Sequence, residues 1–147
     1  MKIGLASDHR GYKLKQQLIE ELVKRNYEVE DYGTDSEEST DYPDYAFKLG
    51  ENVRDKKVDF GVAICGSGIG ISIACNKVKG VRCGKVNSVE EAIHGRERDY
   101  VNVIALSGSC DINENKKIVD AFLAAKENHE DPIYQVRVNQ IEEYENA

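Results

Sequence analysis

Runs typical of β-strands alternate with stretches of helical periodicity along the chain. Between the strand-like runs, apolar residues recur every three to four positions, as Leu14, Leu18 and Leu22 do in the first such stretch. This spacing predicts amphipathic helices, because it places the apolar side chains on one helical face. We predict strands at residues 2–7, 27–33, 58–65, 81–86 and 101–108. Helices are predicted around residues 14–23, 43–56, 69–78, 88–99, 118–123 and 134–145.

The alternation of strand and helix predicts an α/β fold with a doubly wound (Rossmann-like), five-stranded parallel sheet flanked by helices. The run FGVAIC (60–65) has no polar side chain, as expected for a strand covered on both faces. A length of 147 residues suits one domain spanning 1–147. A polar stretch at 127–132 precedes the last helix, which we expect to pack either on its own chain or on a partner chain.

Composition narrows the class of protein. The net charge is −7 and there is no block of basic residues, which argues against nucleic acid or a membrane surface as the main partner. No apolar run approaches the roughly 20 residues of a membrane span, and the first residues do not resemble a signal peptide, so we expect a cytoplasmic protein. The spacing of the four cysteines matches no zinc or disulfide pattern: Cys65, Cys75, Cys83 and Cys110.

Two polar loops follow predicted strands and lead into predicted helices, SDHRG (7–11) and CGSGIG (65–70). Ligands of open α/β sheets bind at the carboxyl ends of the strands. A helix start offers free N–H groups to an anion, and glycines allow a close approach of the backbone. A thiol placed there, Cys65, can act as a base or nucleophile. Backbone N–H groups of residues 66–70 are candidates to hold an oxyanion beside it.

Three reactions compete for this thiol and glycine loop. Dinucleotide binding is disfavoured, because the spacing is G-x-G-x-G and the motif follows the third strand. Cysteine hydrolase chemistry with His9 as the base lacks an identifiable orienting residue. Proton abstraction beside a carbonyl group, with the loop holding an enediolate, uses both the thiol and the N–H groups and is therefore the favoured interpretation.

These segments resemble the ribose-5-phosphate isomerase B family, which includes both subunits of galactose-6-phosphate isomerase. The matching segments cover nearly the whole chain: ASDHRGYKLK (6–15), DYGT (31–34), DYPDYA (41–46), CGSGIGISIACNKVKGVRC (65–83), NVIALSG (102–108) and RV (137–138). The resemblance implies an aldose–ketose isomerase of sugar phosphates, of the ribose 5-phosphate/ribulose 5-phosphate type, without metal or cofactor. It also implies a homodimer or homotetramer whose active sites lie between two chains.

The resemblance assigns roles residue by residue. Cys65 would move a proton between C1 and C2 of the sugar, and Ser67 would assist it. The enediolate would be held by the loop containing Gly66, Gly68, Ile69 and Gly70. Substrate would be bound by Asp8, His9, Tyr42 and Arg137.

The chain departs from the family at several positions. Where the family usually has a ring-opening histidine followed by asparagine, this chain has Arg98 and Asp99. An arginine stays protonated and cannot readily exchange a proton. Two further arginines of the family are replaced by Ser109 and Ile133.

Three explanations follow from these departures. In a homo-oligomeric isomerase with a shifted substrate, Arg98 would supply a catalytic-site contact to phosphate, Asp99 would bind substrate and His94 would open the ring. Alternatively, the chain is the cysteine-bearing subunit of a hetero-oligomeric isomerase of the galactose-6-phosphate type. The third explanation is a sugar-binding relative without catalysis.

Overall fold

A computed structural model describes all 147 residues, and it contains one five-stranded parallel sheet. The strand order is β2-β1-β3-β5-β4, which confirms the predicted doubly wound α/β fold. The strands are β1 (Lys2–Ser7), β2 (Glu28–Asp31), β3 (Phe60–Cys65), β4 (Cys83–Lys85) and β5 (Val103–Ser107). The helices are α1 (Tyr12–Lys24), α2 (Tyr42–Arg54), α3 (Ile69–Cys75), α4 (Val89–Arg98), α5 (Ile112–Ala124) and α6 (Pro132–Glu145). None of the six has the length and apolar character of a membrane-spanning helix.

Alternate side chains of the central strands point to opposite faces of the sheet, and each face carries its own apolar cluster. In β3, Ile64 belongs to the cluster under α1, α4 and α5, whereas Ala63 and Cys65 belong to the cluster under α2 and α3. All three residues are at most 4% exposed. Burial of a large aliphatic side chain contributes about 1.5–3 kcal/mol, so both clusters stabilise the sheet that positions the loops.

The chain crosses from one side of β1 to the other between β2 and β3, which makes the β1–β3 boundary the switch point of the sheet. Ser7 of β1 lies beside Ile64 of β3 in the parallel register. The next residues, Asp8 and Cys65, are therefore neighbours where the two strands end. This register brings together the two loops that the sequence singled out.

The last helix packs on its own chain. Val138 of α6 is buried, Arg82 forms an ion pair with Glu142 at 3.3 Å, and the Gly80 N–H donates to Glu145 at 2.9 Å. Its outer surface exposes Ile133, Val136 and Ile141. Because Gly80 and Arg82 precede β4, α6 lies near the amino-end edge of the sheet.

Candidate active site

A cleft of about 480 Å³ opens at the switch point, at the carboxyl-end edge of β1 and β3. It brings together seven of the predicted site residues: Asp8, His9, Tyr42, Cys65, Gly66, Ser67 and Gly70. Four residues complete the lining: Arg10, Ser39, Thr40 and Asp41. No group of three or more His, Cys, Asp or Glu side chains is arranged to hold a metal ion.

Cys65 lies at the floor of the cleft. Its residue surface is 4% exposed, and its Sγ accepts a hydrogen bond from the Gly68 N–H at 3.2 Å. Gly68 has a φ of +78°, and a Cβ there would lie 3.0 Å from the Leu106 backbone. A glycine is therefore required to turn this N–H toward the sulfur.

Three other N–H groups of the loop have no acceptor within the chain, those of Gly66, Ser67 and Gly70. All three residues line the cleft beside Cys65. The N–H of Ile69, in contrast, is used inside the loop, because it donates to the Ser67 hydroxyl at 3.1 Å. The expected cradle for an oxyanion thus narrows to three free donors, since the N–H groups of Gly68 and Ile69 bind the sulfur and the Ser67 hydroxyl.

Two serines at the end of β5 and just after it hydrogen-bond to the loop. The Gly66 carbonyl accepts hydrogen bonds from the Ser107 hydroxyl at 2.6 Å and the Ser109 hydroxyl at 3.3 Å. In a trans peptide the next N–H points opposite to the carbonyl, so the Ser67 N–H is directed away from these serines. The sequence comparison identified Ser109 only as the place of a missing arginine. The structure gives it a role in orienting the loop that its residue type alone did not indicate.

Asp8 and His9 are held by backbone contacts at the end of β1. The Asp8 Oδ1 accepts the N–H groups of Arg10 at 2.9 Å and Gly11 at 3.1 Å. Asp8 therefore closes the turn before α1, and the residue at the start of that helix is Gly11. The His9 Nδ1 accepts the Thr40 N–H at 3.2 Å, so the proton of a neutral His9 ring is on Nε2.

Tyr42 forms one wall of the cleft. It is the first residue of α2, and its ring lies on Gly70, where a Cβ would be only 2.7 Å from the ring Cζ. The absence of a side chain at Gly70 lets the tyrosine approach the start of α3. The ring therefore borders the same backbone that carries a free N–H donor.

Three predicted site residues lie elsewhere in the chain. Arg98 and Asp99 precede β5, at the amino-end edge of the sheet, and the register from Val103 to Ser107 separates the two edges by about 13 Å. The Arg98 guanidinium lies 5.7 Å from the centre of the Tyr134 ring, on α6. Arg137 is also on α6, so one chain does not bring these residues to Cys65.

His94, the candidate for ring opening, is also away from the cleft. Its Nε2 lies 4.0 Å from a carboxylate oxygen of Asp99, and both side chains are exposed. The two residues line a separate groove between β4 and α4. Within one chain, His94 therefore does not face the Cys65 thiol.

A thiol and free N–H donors at the switch point of a doubly wound sheet define a class of α/β protein suited to moving a proton beside a carbonyl group. Sequence comparison places the chain in that class: it belongs to the Ribose/Galactose Isomerase family, whose model matches residues 3–141.

Individual relatives share nearly the full length. The chain is 41% identical to ribose-5-phosphate isomerase B of Escherichia coli over 141 residues, which is 95% of this chain and 93% of that protein. It superposes on ribose-5-phosphate isomerase B of Clostridium thermocellum with a TM-score of 0.96 and 41% identity, covering 99% and 98% of the two chains. The corresponding enzyme of Mycoplasma genitalium, solved with bound ribulose-5-phosphate, gives a TM-score of 0.93 at 39% identity, covering 99% and 96%.

Proposed function

We propose that the chain interconverts an aldose phosphate and a ketose phosphate, with ribose 5-phosphate and ribulose 5-phosphate as the substrate pair. One observation carries the proposal: the Cys65 sulfur lies in the same cleft as the three unpartnered N–H groups of the loop that follows it. A base and an oxyanion site are thus placed side by side. Full-length similarity to ribose-5-phosphate isomerases supports this substrate pair.

The proton transfer follows from this arrangement. The Cys65 thiolate removes the proton from C2 of the open-chain aldose, and the C2–H electrons form a C1–C2 double bond. Negative charge then develops on O1, where the free N–H groups of Gly66, Ser67 and Gly70 stabilise it. O1 takes up a proton, O2 gives one up as its bond to C2 becomes the ketose carbonyl, and the Cys65 thiol returns its proton to C1. The Ser67 hydroxyl, which lines the cleft, assists the exchange between the two oxygens.

Residues of the loop after β1 bind the sugar hydroxyls. Oδ1 of Asp8 is occupied by two backbone N–H groups, which leaves Oδ2 to accept a hydrogen bond from the substrate. The Nε2–H of His9 is a donor, because its Nδ1 already accepts from Thr40. Tyr42 limits the cleft on the side of α2. Arg98 is not a ring-opening base in this proposal; open-chain sugar forms spontaneously in solution.

The site is completed by a second copy of the chain, in a homodimer or homotetramer. Arg98, Asp99 and Arg137 lie at the sheet edge opposite Cys65 in their own chain, so they act in the cleft of a neighbouring chain. Exposed apolar residues accompany Arg137 on α6: Ile133, Val136 and Ile141. The arginine side chains of the partner then contact the phosphate, and Asp99 contacts a sugar hydroxyl.

The test of the proton transfer is ¹H NMR of the purified chain with ribose 5-phosphate in heavy water. We expect loss of the C2–H signal together with ribulose 5-phosphate formation. Cys65→Ala should abolish both, whereas Cys110→Ala should leave both unchanged, because Cys110 is exposed and does not line this cleft. Exchange that persists in folded Cys65→Ala would disprove the assigned base.

The assembly is tested by subunit mixing. Cys65→Ala and Arg137→Ala chains should each have little activity, and mixed oligomers should regain part of it, because one cleft then combines an intact Cys65 with an intact Arg137. Recovery only after adding a different family member that carries the histidine would instead support the hetero-oligomer, an alternative favoured by Arg98 at that position. A chain that binds sugar phosphate without any C2–H exchange would support the non-catalytic alternative.

A further inference from the structure

The cleft contains no lysine and a single arginine, Arg10. The two carboxylates that line the same cleft, Asp8 and Asp41, repel an anionic substrate. A sugar phosphate carries close to two negative charges at neutral pH, so a cation within the cleft has a large effect on its binding. Arg10 is the residue of this cleft able to supply one.

The Arg10 guanidinium is not committed to another partner. It forms no ion pair and donates no side-chain hydrogen bond within the chain. The Asp8 carboxylate forms no ion pair with it, and the Asp8 Oδ1 instead accepts the backbone N–H groups of Arg10 and Gly11. That contact fixes the backbone of Arg10 and leaves its side chain available to a ligand.

The position of the side chain follows from Gly66. A Cβ at Gly66 would lie 2.8 Å from the Arg10 Cδ and 3.2 Å from its Nη1, so the arginine packs where a side chain of residue 66 would be. Gly66 directly follows Cys65. The guanidinium therefore lies at the mouth of the cleft, above the floor on which the sulfur is buried.

We propose that Arg10 binds the phosphate group of the substrate, from the same chain that supplies Cys65. The inference rests on the proposed function, since it assigns the phosphate end of that substrate. Arg10 is exposed whereas Cys65 is 4% exposed, so the guanidinium meets the outer, charged end of the sugar. Guanidinium groups bind phosphate oxygens through paired N–H donors, a geometry that a lysine does not reproduce.

This assignment makes Arg10 a specificity-determining residue. Arg10 packs on Gly66, and Gly66 directly follows Cys65 in the chain. The distance between the reacting carbons and the phosphate is therefore set within one loop. Selectivity for phosphorylated sugars then does not depend on the partner chain alone. Loss of Arg10 weakens binding of the phosphate without altering the proton transfer at C1 and C2.

The test compares Arg10→Gln and Arg10→Lys with Lys13→Gln. Lys13 is an exposed residue of α1 that pairs with Glu37 at 3.6 Å and does not line the cleft, so its variant controls for the change of net charge. We expect Arg10→Gln to raise the KM for ribose 5-phosphate by about 10- to 100-fold, with kcat changed less than threefold, because it removes a charged hydrogen bond. Arg10→Lys should recover part of the loss, and Lys13→Gln should match the wild type.

Two further measurements separate phosphate binding from other roles. C2–H exchange of unphosphorylated ribose should be equal in the wild type and Arg10→Gln. Inorganic phosphate, followed by ³¹P NMR titration, should bind Arg10→Gln at least tenfold more weakly than the wild type. An equal loss with ribose and ribose 5-phosphate, or unchanged phosphate binding, would overturn the assignment. The titration needs no turnover, so a wild type that binds phosphate through Arg10 but isomerises no sugar would refute the proposed function alone.

Discussion

The Asp8 carboxylate has two proposed roles that substitutions can separate. One oxygen holds the turn before α1, and the other accepts a hydrogen bond from the substrate. Its Oδ1 accepts two backbone N–H groups, at 2.9 and 3.1 Å, while the residue is 6% exposed. Asp8→Ala leaves the Arg10 N–H without this acceptor, whereas the Gly11 N–H keeps a contact to the Asp8 carbonyl at 3.2 Å. Hydrogen bonds to a charged group contribute about 1.5–3 kcal/mol each, and the second is only partly lost.

We therefore expect Asp8→Ala to lower the free energy of unfolding by about 2–4 kcal/mol. Asp8→Asn keeps a carbonyl oxygen in the place of Oδ1, so its loss should be about 1 kcal/mol. The amide also replaces Oδ2, the proposed acceptor for a sugar hydroxyl, by a donor. The asparagine variant should consequently remain well folded but bind ribose 5-phosphate about tenfold more weakly.

Urea unfolding followed by circular dichroism measures the first effect, and steady-state kinetics with ribose 5-phosphate measures the second. All variants must be compared at one protein concentration, because oligomerisation contributes to apparent stability. Equal stability of Asp8→Ala and wild type would refute the role of Oδ1 in holding the turn. An asparagine variant as unstable as the alanine variant would show that the turn requires the charge of the carboxylate and not only an acceptor oxygen.

Two other predictions follow from close contacts. Gly70→Ala should lower kcat/KM by at least tenfold while leaving the circular dichroism spectrum unchanged, because the new Cβ would displace the exposed Tyr42 ring, 2.7 Å away, from the wall of the cleft. The pKa of the Cys83 thiol is raised above its ordinary 9.0 by a hydrogen bond with Cys75 and by burial, so above about pH 9 the folded chain holds more protons than the unfolded chain. The free energy of unfolding should then fall as the pH rises from 9 to 10, and Cys83→Ala should show a shallower fall in urea titrations; equal slopes would contradict a raised pKa.

The fold was predictable because its signals are local. Strand-like runs and helical spacing identified all five strands and six helices, and buried strands such as FGVAIC indicated a sheet covered on both faces. The ends of elements were less predictable. α3 was expected to reach residue 78, but it ends at Cys75, where Lys77 and Val78 donate to carbonyls three residues back. A further turn follows, in which the Val81 N–H donates to the Val78 carbonyl and Gly80 adopts a positive φ that the apolar pattern does not encode.

The candidate site was predictable only in part. Asp8 and Cys65 could be found because both follow strand ends, and polar residues there stand out from the apolar runs. The supporting contacts could not be found in this way. Ser107 and Ser109 act on Gly66 across 40 or more residues of sequence, through β5, and no local spacing indicates that pairing. Arg98 lies at the amino-end edge because it precedes the parallel strand β5, but its contact with Tyr134 depends on where α6 packs.

The floor and the walls of the cleft are formed by different parts of the chain, and this difference affects how new substrate specificities evolve. The floor is backbone: Gly108 donates to the Cys65 carbonyl at 2.8 Å and Asp8 donates to the Ile64 carbonyl at 3.2 Å. These bonds tolerate changes of side chain elsewhere. The walls consist of outward-facing residues such as Arg10 and Tyr42, which can be replaced without rebuilding the sheet. A lineage can therefore exchange one sugar for another by altering the walls, while the thiol and its N–H donors continue to perform the same proton transfer.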